Sequence, residues 1–265
     1  MLSTIADYQR ISRDMTRSLS LTAKEPDVSR ETTYYLANIG KVKSIDDFLK
    51  DYRLFSYAMK AFGLSDMTYA KAFMRKVLAE GISNKDSFAN KLSDTRYREF
   101  ASAFNFAVLG SNTTKTTAAT TGTATQYVQQ VMEEEAGNQN EGVRLALYFV
   151  RKASSIKNPY QILADKALTQ VVQTALGLSP TISSADIDKQ ASMLSKLLNL
   201  SDFQDPTKVN RFAQRFAAMW DASQTASGIS NGTSNNPVLI LIGQSPTTGM
   251  DTDMLSKLQS IRFGR

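Results

Sequence analysis

The chain has 265 residues, 42% of them apolar and 21% charged, with a formal net charge of +6. Those proportions suit a globular protein with a buried core. There is no cysteine and no histidine, which excludes disulfides, Cys/His zinc sites, thiol nucleophiles and histidine triads.

In chain order, Ile5, Tyr8, Ser12, Met15 and Leu19 predict a first amphipathic helix. It lacks the apolar core of a signal peptide. With Arg10, Arg13 and Arg17 it reads either as the first core helix or as a helix that docks in another protein's groove. Ser44 followed by Asp47 resembles a capping box, and the spacing predicts a helix of about eighteen residues ending at Gly63. Ala70, Phe73, Met74, Val77 and Leu78 form the stripe of a further helix closed by Gly81, and Tyr97, Phe100, Ala101 and Phe104 that of another.

Ser111 to Gln126 holds eight threonines in sixteen residues, which predicts a flexible linker or exposed loop. Tyr127, Val128, Val131 and Met132 open the next helix. Asn158-Pro159-Tyr160-Gln161 then gives N-cap, N1 and N3 signals, with a stop at Gly177. Ile187, Ala191, Leu194, Leu197 and Leu198 predict a helix opened by Ser183 or Ser184. Val209, Phe212, Ala213 and Phe216 predict another, opened by Asp205-Pro206.

The two series run in parallel. Asp51 to Leu64 and Asp165 to Leu178 carry Asp, Leu, Ala, Gly and Leu in the same five places, at an offset of 114. Arg30 with Tyr34-Tyr35-Leu36 matches Arg144 with Tyr148-Phe149-Val150 at that offset. The expected fold is therefore all-α, with two similar multi-helix halves from an internal duplication packed about a pseudo-twofold axis. Two lobes around a cleft are the alternative. The expected divisions are 1–110 and 127–222 for the halves, 111–126 for the linker and 223–265 for a C-terminal extension.

Few residues invite chemistry. Asp51 and Asp165 could form a two-carboxylate acid/base pair, but their position near helix starts reads as structural. Glu133-Glu134-Glu135 reads as a solvated acidic face rather than a cation site. Neither a P-loop nor a nucleophile elbow nor a dinucleotide fingerprint occurs. Catalytic, cofactor and metal residues are all expected to be none. Trp220 and most aromatics from Tyr52 to Phe106 are expected in the core. The apolar run Val238 to Ile242 is too short to cross a membrane; it either packs on its own domain or adds to another chain's sheet or groove. Lys and Arg never run beyond two residues and alternate with acids, so neither nucleic-acid binding nor membrane insertion is expected.

The stretch from Arg30 to Ile82, "RETTYYLANIGKVKSIDDFLKDYRLFSYAMKAFGLSDMTYAKAFMRKVLAEGI", followed by "FANKLSDTRYREFASAFNF", resembles an alphaproteobacterial family, domain of unknown function 1217. The family is encoded in flagellar gene clusters of rhizobia and relatives. The resemblance implies a bacterial, flagellum-associated role, with other flagellar proteins as partners and no assigned catalytic residue. Synthesis is expected in the cytoplasm, followed by export through the flagellar route or retention there. The expectation is thus a non-enzymatic protein acting by protein contacts. A carboxylate-dependent cell-wall glycan hydrolase and a nucleic-acid-binding regulator are the alternatives. Oligomeric state is open.

Overall fold

Side-chain caps open many of the helices within residues 3–228, which are the residues described in the computed structural model; among them there is no strand, and the fold is all-α. The chain divides into two units, Met1–Ser223 and Gln224–Arg265. Val238 to Ile242 and the rest of the expected C-terminal extension beyond residue 228 lie outside the described residues.

The N-terminal stretch forms α1 (Thr4–Arg13) and α2 (Met15–Ala23), followed by α3 (Pro26–Asn38). Next come α4 (Ile45–Lys50), α5 (Tyr52–Ala61), α6 (Lys71–Glu80), α7 (Phe88–Lys91), α8 (Thr95–Ala103) and α9 (Phe106–Leu109). The second series is α10 (Thr123–Gln139), α11 (Glu141–Ala153), α12 (Pro159–Leu163), α13 (Lys166–Leu176), α14 (Ile187–Leu197) and α15 (Pro206–Gly228).

Each predicted eighteen-residue helix is in fact two, broken at its aspartate. Asp51 leaves helical geometry at φ −78° and ψ 93°, and its carboxylate accepts from the Leu54 N–H at 3.1 Å to cap α5. Asp165, at φ −114° and ψ 113°, accepts from the N–H groups of Ala167 and Leu168 at 2.9 and 3.1 Å to cap α13. A short acidic side chain competes with the backbone for these N–H groups, so it starts a helix more readily than it continues one. The bend also turns Phe48 and Leu49 of α4 into the core, where they are 0% and 3% exposed.

The expected starts and stops otherwise hold. Ser44 accepts from the Asp47 N–H, and Asn158 with Gln161 makes a complete capping box. Gly63 and Gly177 close α5 and α13 at φ 69° and 67°. Leu64 then donates to the Met59 carbonyl at 2.8 Å, and Leu178 to that of Gln173 at 2.9 Å, the same six-residue closure at both ends. The α14 start differs: Asp186, rather than Ser183 or Ser184, caps it. Only part of its stripe is covered, since Ile187 and Leu197 are 54% and 50% exposed.

Burial forms two apolar clusters. The first gathers α3 to α9 with the front of α10, and Phe48 is its hub, with ring centroids of Phe55, Phe100, Phe104 and Phe106 at 5.7, 6.3, 4.8 and 6.1 Å. Tyr52 and Tyr69 are exceptions to the aromatic core, at 62% and 80% exposed. The second cluster gathers α11 to α15 around Phe149, with Phe203 and Phe212 at 5.3 and 5.0 Å. Trp220 is partly buried against it, 5.6 Å from Phe216.

The threonine-rich stretch is not loose. It folds into a 3-10 turn, Gly110–Lys115, and a π-helical turn, Ala118–Gly122, that runs into α10. Thr113, Thr114 and Thr123 are fully buried. Threonine can be buried in this way because its methyl packs while its hydroxyl finds a carbonyl. Thr114 donates to Val42 and Thr123 to Ala118, each at 2.8 Å, and Tyr35 donates to Ala119 at 2.5 Å.

Candidate functional site

Asp165, which interrupts one of the predicted helices, also lines a polar cleft. One wall carries the end of α5 (Phe62, Gly63) and the turn into α8 (Ser93 to Arg96); the other carries α10 and α11 with the α12–α13 junction at Asp165, enclosing about 450 Å³. Gly63, whose positive φ ends α5, turns its carbonyl toward Arg96, whose guanidinium donates to it.

Charges in this cleft come in pairs. Arg96 donates to both carboxylate oxygens of Asp94, at 2.7 Å through Nη2. Burial opposes the Asp94 carboxylate, yet these hydrogen bonds hold its carboxyl below the usual range. Glu133 of α10 is 2% exposed and is gripped by Arg151 of α11 at 2.7 and 2.6 Å, while Arg151 also donates to Gln130 at 2.9 Å. Burial pushes the Glu133 carboxyl above its ordinary value despite that guanidinium. Tyr148 donates to Asp165 at 2.5 Å; burial first, and the adjacent carboxylate second, push the phenol up. Lys152 reaches Glu99 of α8, and Arg144 pairs with Glu141 beside it. Lys166 sits exposed at the rim.

Of the residues singled out from sequence, Asp165 lines the cleft and Asp51 does not; their role is structural, but each is the N-cap of a second helix rather than an acidic residue within the first turns of one long helix. The pair is therefore not brought together in this cleft. Glu133 corrects the expectation of a solvated acidic face, because an eighteen-residue step along the chain returns Arg151 to it. That pairing left no local signal, whereas Asp94-Thr95-Arg96 could have been read as a capping turn with its own cation. Among the described residues no group of three or more acidic side chains is placed to hold a metal ion, and no helix is long and apolar enough to cross a membrane.

Comparison with known proteins agrees with the resemblance at family level. The X-ray crystal structure of protein AGR_C_984 from Agrobacterium tumefaciens superposes with a TM-score of 0.79 at 51% identity, covering 84% of this chain and 97% of that one. No curated protein sequence matches. The family described as "Protein of unknown function (DUF1217)" matches residues 61–209, and the chain belongs to that family.

Proposed function

We propose that this chain is a non-enzymatic protein that acts through protein–protein contacts in flagellar assembly or structure. The observation that carries the non-enzymatic part is the state of the cleft: Asp94, Arg96, Glu133, Arg144, Tyr148, Arg151, Lys152 and Asp165 are each already engaged by another side chain. A general acid or base must be free to turn toward the reacting atom, and each of these groups is already oriented by a charged or hydrogen-bonding partner. The flagellar part rests on the family resemblance of Arg30 to Phe106. Deleting the gene should abolish or impair swimming and filament assembly; full motility in the deletion strain refutes the reading. Culture supernatants of wild type and of a flagellar-export mutant then separate an exported component from a cytoplasmic helper.

The two halves are read as products of one duplication. In support, Asp51 and Asp165 cap, Gly63 and Gly177 stop, and Leu64 and Leu178 close their helices with the same hydrogen bonds.

One observation favours a second reading, the cell-wall glycan hydrolase. Glu133 is a buried carboxyl with a raised proton affinity in a cleft shared with Asp165, the environment used to keep a general acid protonated. The purified chain should then clear peptidoglycan in a gel overlay and Glu133→Gln should not; absence of clearing by the unaltered chain sinks this reading. A nucleic-acid regulator gains nothing from the cleft, where each cation but Lys166 faces a carboxylate.

A further inference from the structure

The first helix of the chain sits on the second half. Tyr8, 1% exposed, lies in the second apolar cluster with Val143 and Phe216, and its hydroxyl donates to Asn210 of α15 at 2.7 Å. Asp221 of α15 caps α1 from across the chain: its carboxylate accepts from the Thr4 and Ile5 N–H groups at 2.9 and 3.3 Å and from the Ser3 hydroxyl at 2.8 Å. The contact is close, since a Cβ on Gly142 would lie 2.5 Å from Trp220 and 2.7 Å from Thr4. Within α1 Thr4 and Tyr8 are buried, Ile11 packs partly buried against the same cluster, and the Thr4 hydroxyl pairs with the Asn140 amide.

Local sequence and this seat disagree. From Thr4 to Ala23 there is neither proline nor glycine, and the apolar spacing is that of one continuous helix. The chain nevertheless breaks at exposed Asp14, φ −138° and ψ 74°, whose side chain caps α2 through the Arg17 N–H at 2.9 Å. The matching helix of the second half, α10, runs seventeen residues without interruption. Straightening α1 and α2 into one helix restores intrahelical hydrogen bonds around Asp14 and carries α1 off its own second half.

We propose that the seat of α1 on α11 and α15 is an interface with a second copy of this chain, reached by exchange of α1 about Asp14. The occupant follows from the fit. The surface is already shaped for this helix, so a partner's α1 remakes the Tyr8, Thr4 and Asp221 contacts unchanged. The exchange adds only the straightened hinge and the entropy of association. A single chain satisfies the seat at low concentration, and dimers accumulate as concentration approaches the effective concentration of the tether.

The absence of cysteine makes a clean trap. Ser3→Cys in one preparation and Asp221→Cys in another are mixed, incubated at high concentration and oxidised; a disulfide-linked dimer of the unlike variants is expected. Light scattering on the unaltered chain should show dimers rising with concentration up to about 1 mM, the scale set by a short tether. Asp14→Ala, which removes the α2 cap and favours the continuous helix, should raise the dimer constant by about fivefold per hinge. A strict monomer over that range, in the unaltered chain and in Asp14→Ala, overturns the proposal. So does a dimer in which positions 3 and 221 of different copies never join.

Discussion

Replacing Arg151 by methionine tests whether the cleft is held by paired charges. The Glu133 carboxylate is 2% exposed and Arg151 14%, so water does not take over when the guanidinium is removed. Arg151→Met deletes two charge-assisted hydrogen bonds of 2.7 and 2.6 Å and the 2.9 Å bond to Gln130. Leaving one partner of such a pair buried and uncompensated costs about 3–5 kcal/mol. Urea unfolding followed by circular dichroism at neutral pH should show that loss.

The deficit must also depend on pH. Glu133 has a raised folded-state pKa, by burial, so between the unfolded value and the folded one the native state binds more protons and stability falls as pH rises. Without Arg151 the folded value moves further up. The variant should therefore recover part of its deficit as pH drops through that window toward 4.5, the ordinary glutamate value. The double variant Glu133→Leu/Arg151→Met, which removes both charges and keeps apolar volume, should be within about 1–2 kcal/mol of the parent. A single variant within about 1 kcal/mol of the parent, or a double variant as unstable as the single, refutes the description of the cleft as a buried paired site.

Four further substitutions have expected outcomes. Asp221→Ala should cost about 1–2 kcal/mol, the range of a lost N-cap, and hydrogen exchange should quicken in α1 while α5 and α8 stay protected. Burial opposes the Asp221 carboxylate, but hydrogen bonds from Thr4, Ser3 and Ile5 hold its pKa below the usual value. Its stabilisation is thus present above the unfolded value of 3.8 and fades as pH falls through the lower folded one, which acid titration of α1 exchange would show. Gly81→Ala places a Cβ 2.8 Å from that of Ala107 at φ 59° and should cost about 1–3 kcal/mol in chemical denaturation. Gly40→Ala, with nothing within 4 Å, should be neutral or stabilise by up to about 1 kcal/mol. Phe48→Ala, at the hub of the first cluster, should lose about 3–5 kcal/mol.

Local chemistry was legible in the sequence and long-range pairing was not. Caps at Ser44 and Asn158, stops at Gly63 and Gly177 and the stripes of α6, α8 and α15 depend on residues within one or two turns, and each is found where its spacing places it. Breaks at Asp14, Asp51 and Asp165 escaped because periodicity continues through them; a side chain that can cap from inside an apolar stripe leaves the stripe intact. The threonine stretch escaped for a different reason. Composition priced its hydroxyls as exposed, whereas carbonyls of Val42 and Ala118 accept from them in the interior. Glu133 belongs to the same class of error, since its partner is eighteen residues away.

The ion pairs and the apolar contacts do different work in joining the two clusters. Stacking of Tyr127 on Tyr57, centroids 3.8 Å apart, and the burial of Val128 and Val131 attach α10 to the first cluster, while Met132 of the same helix enters the second. That single helix supplies apolar attachment to both sides, but apolar burial is non-directional and tolerates a slide or a rotation. Lys152 to Glu99, a hydrogen-bonded ion pair between α11 and α8, and Lys60 to Glu134, an ion pair at 3.0 Å between α5 and α10, are parted by such a displacement. A buried or half-buried pair adds little net stability over an apolar one, yet it penalises every misaligned docking in which one charge loses its partner. Lys152 to Glu99 therefore holds α11 against α8 across the cleft, while Arg96 with Asp94, Arg151 with Glu133 and Tyr148 with Asp165 each brace a single wall.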